Sequence, residues 1–66
     1  MKNTIKFERA LKNITQEELA KAIGVSRQTI NAMESGKYCP STILALKIAK
    51  YFSRKVDDIF ELEDDD

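Results

Sequence analysis

Residues 15–38 read TQEELAKAIGVSRQTINAMESGKY and carry two helical patterns, one on either side of Gly24. Thr15 is a good N-cap for the first helix, and Glu18, three residues later, completes a capping box. Gly24 follows as a C-terminal stop that can adopt a positive φ. Ser26 is then placed to cap the second helix. The stretch therefore predicts two short helices joined by a tight turn.

Apolar residues on these two helices recur at the helical period, which predicts that one face of each is buried. Ala20 lies where the helices must approach closely, because a larger side chain there would separate them. The other inward residues are Leu19, Ile23, Val25, Ile30 and Met33. Two helices joined by a three- or four-residue turn that contains glycine form a helix-turn-helix motif. We assign that motif to residues 16–35.

The second helix begins with long hydrogen-bonding side chains that a core would not select. Arg27, Gln28 and Asn31 face outward beside the cap residues Ser26 and Thr29. They could form an ordinary solvated face. In this motif, however, the second helix enters the major groove of DNA with its N-terminal residues against the base edges. Arginine pairs there with guanine O6 and N7, and glutamine or asparagine pairs with adenine N6 and N7.

The formal net charge of zero hides a strong asymmetry along the chain. Residues 1–56 contain all eleven basic residues and four acids, a balance of +7, whereas residues 57–66 contain seven acids and no base. A basic body is the usual footprint of a protein that binds a polyanion, although lysines also keep small proteins soluble. Residues 61–66 form an acidic C-terminal tail.

Composition excludes several classes of function. With 66 residues the chain makes one domain, residues 1–66, near the lower limit for folding on a single core. It has one cysteine, Cys39, and no histidine, so we expect no disulfide, metal, cofactor or enzyme active site. The longest apolar run, residues 43–46, is too short for a signal peptide or a membrane span. We therefore expect a cytoplasmic protein with no membrane partner and no small-molecule substrate.

Three further helical patterns complete an all-α domain of five helices. The pattern over residues 5–12 is the weakest, because Phe7 and Leu11 lie on a different stripe from Ile5 and Arg9. Ser41 is placed to cap a fourth helix. A fifth, short helix is predicted around residues 57–60. The inward residues of these last two helices are Leu44, Ala45, Ile48, Ala49, Phe52, Val56, Ile59 and Phe60.

From Ile5 to about Phe60 the chain resembles the Xre or Cro/repressor type of helix-turn-helix regulators found in phage, bacteria and archaea. TQEELAKAIGVSRQTINAMESGKYCPS and LALKIAKYF match the pattern of that family. The resemblance implies a lambda-repressor-like domain whose third helix, Arg27–Glu34, is the recognition helix. Position by position, it implies DNA contacts at Gln16, Ser26, Arg27, Gln28 and Asn31, and phosphate contacts at Lys37 and Tyr38. We include Thr29, at the start of the same helix, among the expected DNA-contacting residues. Gln16 lies at the N-terminus of the second helix, where free N–H groups and the helix dipole favour a phosphate.

The resemblance also implies that Arg9 of the first helix pairs with Glu34 at the end of the recognition helix. Glu34 needs such a partner, because a carboxylate at a helix C-terminus opposes the helix dipole. The alternative is two separate solvated charges.

Some positions depart from the family pattern. Relatives usually carry glycine, an apolar residue and Ser or Thr where this chain has Ser53, Arg54 and Lys55. The loop before the fifth helix therefore lacks its customary stop, plug and cap. Thr42 replaces a common leucine, and Ile43 lies where relatives tend to be polar. These departures leave open how the last two helices pack, in the region that many relatives use to dimerise.

The two ends alternate apolar and polar residues over residues 1–5 and 60–64, with Phe60 and Leu62 spaced for one face of a strand. Some short members of the family pair their termini as a small antiparallel sheet. We expect such a pair here, extending to about Glu63, and the alternative is a frayed acidic tail.

The function expected from these features is sequence-specific binding of double-stranded DNA by a transcriptional regulator, a repressor. We expect a homodimer that binds a near-palindromic operator. The alternative is an antitoxin-like or other protein-interaction module that keeps the helix-turn-helix fold. The exposed Arg27 and Gln28 and the basic body favour the DNA reader, since a pure interaction module would expose an apolar patch.

Overall fold

Five helices and a two-stranded sheet make up the fold in the computed structural model, which describes residues 1–66. The elements in chain order are β1 (Lys2–Asn3), α1 (Ile5–Lys12), α2 (Gln16–Ile23), α3 (Arg27–Glu34), α4 (Thr42–Tyr51), α5 (Val56–Ile59) and β2 (Phe60–Glu61). The five predicted helices and the predicted strand pair are confirmed. None of the helices has the length and apolar composition needed to cross a membrane.

The helix ends are defined by local hydrogen bonds that the sequence predicts. Thr15 and Glu18 form the capping box of α2: the Thr15 hydroxyl accepts from the Glu18 N–H at 3.0 Å, and the Glu18 carboxylate accepts from the Thr15 N–H at 2.9 Å. Ser26 and Ser41 cap α3 and α4 in the same way, with oxygen-to-nitrogen distances of 3.1 and 3.2 Å. Gly24 ends α2 with a φ of +79°. These bonds satisfy N–H groups that a helix terminus otherwise leaves unpaired.

The core is a single cluster of twelve buried apolar residues drawn from every helix and from β2. Its members are Ile5, Leu19, Ala20, Ile23, Ile30, Met33, Leu44, Ile48, Ala49, Phe52, Ile59 and Phe60. Three residues predicted to face inward, Val25, Ala45 and Val56, are only partly buried at the edge of this cluster. The predicted folding of the chain on a single core is confirmed.

The first helix carries a buried charge that the sequence pattern did not indicate. Ile5 and Glu8 are its two buried residues, while Phe7 and Leu11 are exposed. The carboxylate of Glu8 lies 3.3 Å from the guanidinium of Arg54, in the loop that follows α4. This ion pair fastens α1 to that loop.

The loop before α5 turns without the customary glycine. Ser53 itself adopts the left-handed conformation, with a φ of +55°. Lys55 has no acceptor with which to cap α5, but the Asp58 carboxylate accepts from the Lys55 N–H at 3.2 Å. Arg54, in the place of an apolar plug, pairs with Glu8 instead. The departures from the family pattern are therefore accommodated by a strained serine, a carboxylate cap and an ion pair.

The two termini pair as a short antiparallel sheet next to the end of α3. Lys2 lies opposite Glu61 and Asn3 lies opposite Phe60. The Asn3 side chain also donates to the Met33 carbonyl at 2.7 Å, which ties the sheet to α3. The pairing stops at Glu61, short of the predicted Glu63, so Leu62 does not share the buried face of Phe60 and is 78% exposed. The tail then returns to the N-terminus, where the amino group of Met1 lies 3.1 to 3.2 Å from the carboxylates of Asp66 and Glu63.

The close approach of α2 and α3 generates a test of the fold. Ala20 is 3% exposed, so Ala20→Leu forces three extra carbon atoms into a filled space between the helices. We expect it to lower the free energy of unfolding by about 1–3 kcal/mol. Urea unfolding followed by circular dichroism measures this change. Ala22→Leu, on the exposed side of the same helix, is the matched control, and equal midpoints for the two variants would contradict the packing described here.

Candidate nucleic-acid interface

The helix-turn-helix motif places the first turn of α3 at the protein surface. Gly24 and Val25 both donate their N–H groups to the Ala20 carbonyl, at 2.9 and 3.0 Å, which closes the turn after α2. Val25 packs against the core and Ile30 is fully buried, so one side of the turn and of α3 is held inward. The residues between them, 26–28, are exposed. Because Val25 and Ile30 attach one side of α3 to the core, the polar side chains of its first turn face solvent.

Arg27 and Gln28 are the two side chains of this turn with free hydrogen-bonding groups. Both are exposed, and neither side chain makes a hydrogen bond or ion pair within the protein. They border a depression of about 400 Å³ that is also lined by Glu17 and Lys21 of α2. Their predicted outward orientation agrees with the structure, and their donors and acceptors remain available to a ligand.

Ser26 and Thr29 have their hydroxyl groups engaged with each other. The two oxygens are 2.9 Å apart, and the Ser26 hydroxyl also accepts from the Thr29 N–H. Their first role is therefore to begin α3. Their contacts with DNA stay predictions.

A hydrogen-bonded network joins the start of α2 to the exposed side of α3. Arg9 holds Glu34 with two bonds, from Nε to Oε2 at 2.6 Å and from Nη2 to Oε1 at 3.0 Å, and its Nη1 donates to the Ile14 carbonyl at 3.0 Å. Gln16 donates from Nε2 to Glu34 Oε1 at 3.0 Å and to Asn31 Oδ1 at 3.2 Å. The expected pair of Arg9 and Glu34 is present in the structure, and it is part of a larger network.

The electrostatics of this network depend on its low exposure. The Arg9 and Glu34 side chains are 14% and 7% exposed. Burial disfavours the charged form of Glu34, but the hydrogen bonds from Arg9 and Gln16 outweigh that effect and lower the pKa of this carboxyl. The bond to Glu34 likewise raises the pKa of the Arg9 guanidinium. Both groups are therefore charged at neutral pH, and the carboxylate at the end of α3 is neutralised locally.

Lys37 and Tyr38 lie at the opposite end of α3 from Arg27. The chain turns at Gly36, with a φ of +78°, and the N–H groups of Lys37 and Tyr38 both bond to the Ala32 carbonyl. Both side chains are exposed. Because α3 has eight residues at about 1.5 Å of rise each, the two ends of this face are about 12 Å apart. The structure thus separates the predicted base-reading residues from the predicted phosphate contacts.

Two basic features of the surface were not singled out from the sequence. Lys21 lines the depression of about 400 Å³ that Arg27 and Gln28 border. Because Lys21 follows Glu17 by four residues, the sequence already indicated that the two share the exposed side of α2. Lys21 also lines a second depression of about 470 Å³, together with Lys47 and Lys50 of α4. Only tertiary packing brings the lysines of α2 and α4 together, so no local pattern in the sequence could show it.

Comparison with known proteins identifies the family. The pattern that defines helix-turn-helix domains matches residues 5–59, which cover every helix of the fold. The chain belongs to the helix-turn-helix family. The resemblance seen in the sequence is therefore confirmed.

The relatives within this family are named as regulators of transcription. The chain is 64% identical over 66 residues to an uncharacterized HTH-type transcriptional regulator of Methanocaldococcus jannaschii, and the match covers all of both chains. It is 51% identical over 65 residues to the uncharacterized HTH-type transcriptional regulator YgzD of Bacillus subtilis, a match that covers 98% of each chain. It is 42% identical over 53 residues to the HTH-type transcriptional activator BcrR of Enterococcus faecalis, covering 80% of this chain and 26% of that protein. These matches support DNA-binding regulation of transcription, which is not an enzymatic activity.

The pKa of Glu34 generates a prediction about stability and pH. Because the pKa of Glu34 is lower in the folded chain than its ordinary value of 4.5, the carboxylate stabilises the fold fully above about that pH. This contribution is lost as the pH falls through the lower, folded value. We expect Glu34→Gln to reduce the free energy of unfolding at pH 7 by about 1–3 kcal/mol, because a hydrogen bond to a charged group is lost.

The free energy of unfolding of Glu34→Gln should differ less from that of the parent chain at low pH. Urea midpoints measured from pH 7 down to pH 3 test this convergence. Glu18→Gln, at an exposed carboxylate in the capping box of α2, is the matched control. A constant difference between Glu34→Gln and the parent chain over the whole range would contradict the pairing.

Proposed function

We propose that this protein is a sequence-specific repressor of transcription that binds double-stranded DNA as a homodimer, with α3 in the major groove. The observation that supports this most directly is the pair of unpartnered side chains, Arg27 and Gln28, on the exposed first turn of α3. Each offers the donors or acceptors that pair with major-groove base edges. The family contains relatives named as transcriptional regulators, which adds independent support.

The proposal divides the exposed residues into base readers and phosphate contacts. Arg27, Gln28 and Asn31 face outward along the start and middle of α3, and we assign them to base edges. Lys37 and Tyr38, at the other end of the helix, are assigned to the phosphate backbone. Gln16, Ser26 and Thr29 lie at the starts of α2 and α3, close to the same face. Phosphate contacts supply affinity and register, whereas base contacts supply specificity.

The proposed homodimer follows from the small number of base pairs that one α3 can contact. Each base pair discriminates by only about 1–3 kcal/mol, so a single reader has little specificity in a genome. A two-fold dimer reads two half-sites about one helical turn apart, which implies a near-palindromic operator. The outer face of α4 offers apolar area for such a contact, since Ile43 and Leu46 are 70% and 54% exposed. We therefore propose that α4, α5 and the C-terminal segment form the dimer interface.

Repression is proposed because occlusion of a promoter requires DNA binding alone. The relative BcrR is named an activator, but this chain matches only 26% of that protein. Transcription from a promoter that contains the selected operator, with and without the protein, tests the direction of the effect.

A second candidate is the protein-interaction module, and exposed apolar side chains favour it. Phe7 and Leu11 follow each other by one helical turn on the outside of α1 and are 60% and 67% exposed. An exposed apolar stripe of this kind is a common feature of interaction surfaces. This stripe lies on a different helix from Arg27 and Gln28, so one molecule could bind both DNA and another protein. Substitutions on α1 and on α3 therefore test the two activities separately.

Alanine substitution of a base-reading residue should affect DNA binding differently from alanine substitution of a phosphate-contacting residue. We expect Arg27→Ala or Gln28→Ala to weaken binding to the cognate operator by about 1–3 kcal/mol and to relax preference at one position in each half-site. We expect Lys37→Ala to weaken all sequences almost equally and to reduce the salt slope by about one unit per subunit. Titrations against cognate and scrambled duplexes at several salt concentrations measure both quantities.

All three residues are exposed and outside the core, so circular dichroism should show unchanged folding. The operator itself is obtained by selecting bound sites from a random pool of duplexes. If Arg27→Ala, Gln28→Ala and Asn31→Ala all leave the ratio of cognate to scrambled affinity unchanged, α3 does not read sequence. The protein-interaction module then becomes the better assignment.

Assembly is tested by sedimentation of the protein alone and on a duplex with two half-sites. We expect a dimer on the operator, and we expect Leu46→Glu on α4 to weaken it by placing a charge in the interface. Phe7→Glu, on the outside of α1, is the matched control and should sediment like the parent chain. A monomer both free and on the operator would contradict the homodimer.

A further inference from the structure

The network of Arg9, Glu34, Gln16 and Asn31 has a fixed direction of hydrogen bonding. Arginine can only donate and an ionised carboxylate can only accept. Glu34 accepts from Arg9 with both oxygens, and its Oε1 also lies 3.0 Å from the Gln16 amide. The Gln16 atom that faces Glu34 must therefore be the donor, Nε2, because its carbonyl oxygen would meet another acceptor.

This direction extends from Gln16 to Asn31. Nε2 has two hydrogens, and with one directed at Glu34 the other is directed at Asn31, 3.2 Å away. The Asn31 atom that faces Gln16 must then be an acceptor, Oδ1. Asn31 cannot rotate its amide by 180° without placing Nδ2 against Nε2, two donors facing each other. The buried ion pair thus sets the amide orientation of an exposed residue on α3.

We propose that Gln16 is a positioning residue for base reading: it holds Asn31 Oδ1, so that Asn31 presents its Nδ2 hydrogens to the major groove as a donor. This inference rests on the function proposed above, with α3 in the groove. In the major groove guanine presents O6 and N7 as acceptors, adenine presents N7 and thymine presents O4. Cytosine presents only the N4 donor there. Asn31 therefore favours an acceptor-bearing base and rejects cytosine at its position.

The same geometry changes the role expected for the Gln16 side chain. Both hydrogens of Nε2 are donated within the protein, which leaves only the acceptor Oε1 without a partner. Phosphate oxygens are also acceptors, so the side chain cannot bind a phosphate without breaking its bond to Glu34 or to Asn31. Gln16 thus acts on DNA through Asn31, and its substitution affects sequence preference rather than general affinity.

A double-mutant cycle separates these two roles of Gln16. The variants are Gln16→Met, Asn31→Ala and the combination; methionine keeps the length and helix propensity of glutamine but has no amide. The base pair read by Asn31 is the one at which Asn31→Ala relaxes the preference of sites selected from a random pool. Competition between two duplexes that differ there, one with the acceptor-bearing base and one with cytosine, gives the preference ratio.

We expect Gln16→Met to lower this ratio by about 5-fold or more, the size of one good base contact. In the Asn31→Ala background the same substitution should change the ratio no further. Gln28→Met is the matched control, since Gln28 has no partner within the protein; it should relax a different base pair and leave the Asn31 position unchanged. If Gln16→Met instead weakens every sequence equally in both backgrounds, Gln16 contacts phosphate and the proposal is overturned.

A measurement on the free protein distinguishes this proposal from the general function. In the nuclear magnetic resonance spectrum, the side-chain amide hydrogens of Gln16 should exchange with solvent more slowly than those of Gln28. If operator sites are selected but the two glutamines exchange equally fast, only the positioning role is overturned. If Gln16 is protected but Arg27→Ala, Gln28→Ala and Asn31→Ala all leave sequence preference unchanged, the proposed function fails, and the positioning role fails with it.

Discussion

The ion pair between Arg9 and Glu34 is the interaction on which the arrangement of α1, α2 and α3 depends. Its two direct bonds, at 2.6 and 3.0 Å, join α1 to the end of α3, and the third bond of Arg9 reaches the loop before α2 through Ile14. Relative to a well-packed apolar pair, a partly buried ion pair of this kind adds little net stability, because desolvation offsets the attraction, whereas removing only one partner is destabilising. Its effect is on geometry, since it fixes three helices relative to one another. Gln16 then takes its position from Glu34.

The small size of the domain explains why so many polar contacts accompany the core. Twelve buried apolar residues are a small core for five helices, and short helices are only marginally stable by themselves. Polar contacts therefore fasten segments that the core alone would hold weakly. They are the capping serines and threonine, the Glu8–Arg54 pair and the strand pair between the termini. Asn3 links that sheet to the last turn of α3 through the Met33 carbonyl. The last turn of α3 is therefore held both by the terminal sheet and by Arg9 of α1.

Charged and apolar side chains are distributed unevenly over the surface of the molecule. The exposed start of α3 carries polar side chains, α2 and α4 contribute a basic depression lined by Lys21, Lys47 and Lys50, and the C-terminal segment carries the acids. Exposed apolar side chains lie on α1 and α4, at Phe7, Leu11, Ile43 and Leu46, and Leu62 is exposed in the C-terminal segment. The basic depression and the exposed apolar side chains therefore share α4.

The sequence by itself determined the features that depend on neighbours along the chain. The existence of the helices, the caps at Thr15, Ser26 and Ser41, and the stop at Gly24 were all predictable, because capping and periodicity act within one helical turn. The outward position of Arg27 and Gln28 was predictable for the same reason. The pairing of Arg9 with Glu34 came from family resemblance, since the two residues are far apart in the sequence.

Tertiary structure alone decided which polar groups meet. Periodicity shows that a side chain faces outward or inward, but it does not show which distant group it meets. Glu8 is buried because the loop after α4 supplies Arg54, and Leu62 is exposed because the strand pair ends one residue earlier. Likewise the contact of Gln16 with Glu34 and Asn31 exists only once α2 and α3 have docked. The orientation of the Asn31 amide, and with it the base that Asn31 is proposed to read, is therefore a property of the folded molecule.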